Sequence, residues 1–105
     1  MAHREERIAS ELQKLTAEFL HRHAGKQSLI TVTGVNLSTD GKHATALLSV
    51  LPESAELPSL QFAKRHAKEL LFYIREHARM GFVPRINFAI DEGEKHRQKV
   101  DELLK

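Results

Sequence analysis

The chain has no cysteine in its 105 residues. Disulfides, thiolate nucleophiles and cysteine-based zinc sites are therefore excluded together. No apolar run approaches the roughly 20 residues needed to cross a membrane as a helix. The opening stretch, from Met1 to Leu12, lacks the apolar core of a secretion signal, so a cytoplasmic location is expected. Internal repeats, low-complexity tracts and a linker are missing too, and one domain spanning residues 1–105 is expected. No phosphate loop, Gly-x-Ser-x-Gly elbow or HExxH spacing occurs. Seven histidines are present, but His21 and His23 point to different sides of a helix, and His66 and His77 are about three turns apart. Asp91, Glu92 and Glu94 cluster only where a helix begins, and the helix dipole accounts for acids there. These absences predict a protein that is not an enzyme, with no metal, no cofactor and no small-molecule substrate.

What is present is unevenly distributed charge. The formal net charge is only +2, so its placement carries more weight than its total. Between Leu57 and Ile90 stand six basic residues, Lys64, Arg65, Lys68, Arg75, Arg79 and Arg85, against two acids, Glu69 and Glu76. Asp91 to Lys105 holds four bases and five acids. On one continuous helix Lys64, Lys68, Arg75 and Arg79 fall within roughly 60° of one another. Like charges at i,i+4 repel by a few tenths of a kcal/mol. Such a stripe is often only a solvated face. Its single sign and the neighbouring Phe72, an aromatic able to stack on a base, point it toward nucleic acid phosphate.

Hydrophobic periodicity supplies the elements. Ile8, Leu12, Leu15 and Phe19 make an apolar stripe on a helix over about Arg4 to His23, stopped at Ala24-Gly25. Leu29–Ser38 alternates as a strand, with a shift at Gly34 that predicts a bulge. Asp40-Gly41 predicts a hairpin turn into a second strand, His43–Leu51. Leu70 and Ile74 lie on the buried side of a long helical region that ends at Gly81. Val83-Pro84 forces extension into a third strand carrying Ile86, Phe88 and Ile90. A last helix carries Val100, Leu103 and Leu104. The predicted core is Ile8, Leu12, Leu15, Phe19, Val32, Leu48, Val50, Leu70, Ile74, Phe88 and Val100. The order predicts an α+β fold, α-β-β-α-(kink)-α-β-α, with a three-stranded sheet covered by helices on one face. That order matches the KH-like fold in its bacterial, type II arrangement.

Two segments carry a more specific likeness. The hairpin ITVTGVNLSTDGKHATALLSVLP and the closing segment FVPRINFAIDEGEKHRQKVDELL together resemble the ribosome-binding factor A family, over about Arg4 to Leu104. The resemblance implies a KH-like RNA-binding domain that binds the small (30S) ribosomal subunit in late maturation and contacts its 16S rRNA. It implies neither catalysis nor a bound metal or nucleotide. KH domains commonly grip nucleic acid at a Gly-x-x-Gly loop, and this chain has none, since its five glycines are never three apart. In the family an Ala-x-Gly kink between two helices takes that place. Here it falls on His66-Ala67-Lys68, with lysine where glycine is expected.

The RNA-binding residues are accordingly expected to be Lys64, Arg65, Lys68, Phe72, Arg75, Arg79 and Arg85, on a monomer with no membrane partner. A second reading stays open. The basic face could dock an acidic partner protein, with RNA binding incidental.

Overall fold

The computed structural model describes residues 2–25 and 28–104. Helix α1, Ala2–His23, is followed by strands β1, Leu29–Leu37, and β2, His43–Leu51. One tight helical turn, Glu53–Ala55, leads into α2, Glu56–Arg65, and α3, Ala67–His77. Strand β3, Arg85–Ile90, and helix α4, Glu92–Leu103, complete the order, which is the predicted one. No helix among the described residues is long and apolar enough to cross a membrane.

β1 and β2 pair antiparallel, as Asp40-Gly41 predicts. Gly41 takes a φ of 72°, a conformation that costs a residue with a Cβ about 1–2 kcal/mol. The turn is further held by Asp40, whose Oδ1 accepts from Ser38 Oγ at 2.6 Å and from Lys42 N–H at 3.0 Å. β3 then pairs with β2 in parallel, so the sheet order is β1-β2-β3. The bulge falls between Val32 and Gly34 as expected. Its use differs from the expectation, because Gly34 has no positive φ. The extra residue is Thr33, whose hydroxyl donates to Asp91 Oδ2 at 2.6 Å.

Ala44, Ala46, Leu48 and Val50 of β2 alternate with less buried neighbours and face the helices, with Val32, Ile86 and Phe88 beside them. Against them lie Leu12, Leu15, Phe19 and Leu20 of α1, Ala63 of α2, and Leu70 and Ile74 of α3. Ile8, expected in the core, is half-buried at its margin. Val100 corrects the prediction. It is 39% exposed, and Leu103 is 85% exposed. α4 buries none of its residues, because it leaves the sheet at the end of β3 and is held by polar contacts at its start. Asp91 caps it by accepting from Glu94 N–H at 3.0 Å. Lys95 ties it to Glu53 at 3.0 Å and Glu56 at 3.1 Å, and these carboxylates, Glu53 first, raise the Lys95 pKa.

Candidate nucleic-acid interface

The expected long helix is broken. His66 sits between α2 and α3 with φ −99° and ψ 13°, the sparsely populated bridge region. Its N–H is shared between the carbonyls of Phe62 and Ala63, both at 3.2 Å. The next backbone bond of the series runs from Leu70 N–H to His66 O at 2.9 Å. Because the bend occurs at negative φ, and no described non-glycine residue has a positive one, it needs no glycine. That is why Lys68 is tolerated where the resemblance puts glycine.

The break gathers three cations. Lys64 and Arg65 occupy the last turn of α2, and Lys68 is the second residue of α3. All three are exposed. The start of α3 has no capping side chain, and the positive end of its dipole lies at the break. Along α3, Lys68, Phe72 and Arg75 fall within roughly 60° of one another, and Phe72 is 64% exposed. Glu69 and Glu76 lie roughly 80–100° round from Lys68. Among the described residues only Lys95 and Arg97 form ion pairs, so no carboxylate neutralises this surface at contact distance.

Two predicted site residues are not brought here. α3 ends at His77, and Ala78 is extended with ψ 153°, so Arg79 does not continue the stripe. Its N–H instead donates to Glu11 Oε1 of α1 at 2.9 Å. The helix from Lys68 to the end of α3 at His77 already spans about 13 Å, and Arg79 lies beyond it. Arg85 opens β3 opposite His43. Since Ile86 and Phe88 point to the helices, the pleat turns Arg85 to the sheet's other face. Angular spacing assumed an unbroken helix, and so put Arg79 in a stripe that α3 ends too early to carry; Arg85 opens the third strand, as expected.

The structure also adds residues that sequence reasoning left aside. His66 Nδ1 donates to Phe62 O at 2.9 Å, and its ring lies 4.3 Å from that of Phe62. His23 does the same with Phe19, at 2.9 Å and 4.2 Å. The two imidazoles are 6.3 Å apart, so the end of α1 flanks the break. Tyr73 joins α3 to α1 by donating to Glu18 Oε2 at 3.1 Å, with the Arg22 guanidinium 5.6 Å from its ring centre. Burial first, and then the Glu18 carboxylate, push the Tyr73 phenol above its ordinary range. A histidine four residues after an aromatic was the only sequence signal for these contacts, and it recurs at Phe19/His23, Phe62/His66 and Tyr73/His77.

Among known proteins, residues 4–104 match the family model described as ribosome-binding factor A. A ribosome-binding factor A of Natranaerobius thermophilus is 31% identical over 97% of this chain and 80% of its own length. The crystal structure of ribosome-binding factor A from Thermus thermophilus is similar in fold. Its TM-score is 0.71 at 24% identity, over 81% of this chain and 93% of that one. A Thermus thermophilus ribosome-binding factor A as fitted into the cryo-EM map of a 30S complex superposes with TM-score 0.65 at 24% identity, over 77% of this chain and 88% of that one.

Proposed function

The chain belongs to the ribosome-binding factor A family, and on that premise we propose that it binds the small ribosomal subunit during late maturation. The contact is with 16S rRNA, the setting is the cytoplasm, and no reaction is catalysed. The domain as a whole acts as a KH-like RNA-binding unit. The relative fitted into the map of a 30S complex supports the partner.

One observation carries the mechanism. Lys64, Arg65 and Lys68 surround a helix break, unpaired with any carboxylate among the described residues and beside the uncapped start of α3. A phosphate placed there meets N–H donors, the positive end of a dipole and three side-chain cations at once. Arg75 extends the cationic line along α3, and Phe72 offers a face on which an unstacked base can lie. Phosphate contacts set position without reading sequence. Recognition therefore rests on the folded shape of the rRNA, as is usual for A-form helices whose deep groove admits no side chain.

Co-sedimentation tests this. The protein should bind free small subunits and not mature ribosomes. The variant Lys64→Glu, Lys68→Glu should lose that binding while keeping the parent's melting temperature. Arg85→Glu, on the other face of the sheet, should bind like the parent. A folded Lys64→Glu, Lys68→Glu variant that still co-sediments would place the RNA surface elsewhere. Equal binding to free subunits and mature ribosomes would remove the maturation role.

A further inference from the structure

A second concave region lies beyond the far end of α3. There the first half of α1, the β1–β2 turn and residues 79–84 enclose a groove of about 890 Å3, within the range of ligand-sized sites. Its walls are braced. Arg79 N–H on Glu11 joins one side to α1. The β1–β2 turn on the other side is held by Ser38, which donates to Asp40 and accepts from His43 N–H at 3.0 Å.

The floor is apolar. Ile8, Leu37 and Met80 are half-buried there, Pro84 is buried, and Phe82 stands at the lip 64% exposed. The rim carries both signs of charge. Arg4, Arg7 and Arg79 line it together with Glu5, Glu11 and Asp40. Asp40 is firmly ionised, since the Ser38 hydroxyl and then the Lys42 N–H hold its carboxyl below the ordinary range.

An RNA backbone laid in this groove would bring phosphates against three carboxylates. A peptide would not meet that repulsion. Apolar centre, exposed aromatic and mixed charged rim are the anatomy of a protein-docking surface. We infer that the groove docks a segment of a protein that presents an apolar side chain flanked by one acidic and one basic residue. The inference rests on the small-subunit reading and deepens it. The partner segment would belong to a protein of the particle whose RNA meets the helix break, so the domain would touch RNA and protein at opposite ends of α3.

The test compares two probes, intact free small subunits and 16S rRNA stripped of protein. The groove variant is Arg7→Glu, Phe82→Ala, at two exposed positions. Arg7→Glu alone is the second variant, and both are checked for an unchanged melting curve. The double variant should weaken binding to intact subunits tenfold or more and change binding to bare rRNA less than twofold. Arg7→Glu alone should show the same selectivity at smaller size. Parent-like binding to both probes overturns the inference. Equal loss on both probes also overturns it and makes the groove an RNA contact. The helix-break variant Lys64→Glu, Lys68→Glu, run alongside, should lose both probes. If it retains both, the helix-break reading fails on its own, and the ratio between the two probes still decides the groove.

Discussion

The helix break and the groove sit at opposite ends of α3, and each gathers three cations. They differ in what those cations face. Lys64, Arg65 and Lys68 look outward with no carboxylate of the described residues in ion-pair contact. Arg4, Arg7 and Arg79 share their groove with Glu5, Glu11 and Asp40 over an apolar floor. The lesson is that a count of basic residues does not identify an RNA surface. Local balance does, because a polyanion is repelled by the same carboxylates that a mixed-charge peptide can pair with.

Four substitutions, with Arg79→Ala as the reference for the last, probe this contrast in descending order of effect. Leu70 is fully buried one turn past the break. Leu70→Ala should cost about 2–5 kcal/mol in chemical denaturation, through lost burial and a residual cavity. Because α3 supports both regions, binding at both should fall with the fold. An effect confined to one of them would mean the two ends of α3 are supported separately.

Gly41→Ala acts on the groove side only. Its positive φ should make the change cost about 1–2 kcal/mol, read as a lower melting temperature. Binding to protein-free rRNA should persist while binding to intact subunits weakens. A loss of bare-rRNA binding would show that the turn also supports the RNA surface.

Asp91→Ala serves as a control away from both regions. Losing the cap of α4 should cost about 1 kcal/mol. The Thr33 hydroxyl, and then the Glu94 N–H, hold the Asp91 carboxyl below its ordinary value of 3.8. The folded pKa is the lower one, so its contribution is present above the unfolded value and is lost as pH falls through the folded value. Hydrogen exchange should therefore show α4 loosening below about pH 4 while the helix break keeps its protection; the β1–β2 turn, held by Asp40 in the same way, should loosen with α4. Protection of α4 that is the same at pH 3 as at pH 6 would count against the cap.

Lys68→Ala should change stability least, within about 0.5 kcal/mol. Its signature is in binding. The slope of log affinity for bare rRNA against log salt should shrink by up to about one. Arg79→Ala should leave that slope unchanged. Equal slopes for the two variants would erase the distinction between the regions.

The elements themselves were legible because their signals are local. The Ile8-Leu12-Leu15-Phe19 spacing, the Asp40-Gly41 turn and the Ile86/Phe88 alternation each report on a few adjacent residues, and these three elements are where the pattern put them. Val100 was misplaced because its helical spacing reports amphipathicity and not what lies opposite. It stays 39% exposed, because α4 leaves the sheet and buries none of its residues.

At the site, the sequence by itself determined that the basic surplus falls between residues 57 and 90 and that Lys68 stands at the helix junction. Lys64, Arg65 and Lys68 stayed together because neighbours in sequence remain neighbours across a bend. Only the tertiary structure decided the rest. One bend at His66 and an early end at His77 remove Arg79 from a stripe that assumed a straight helix. Packing of the helices over the Ile86 and Phe88 side of β3 leaves Arg85, one residue earlier in the pleat, on the face away from them. The groove joins residues from three separated stretches of chain, Arg4 to Glu11, Leu37 to Gly41 and Arg79 to Pro84. Periodicity within one element carries no information about such contacts, because they are set by how the elements pack on one another.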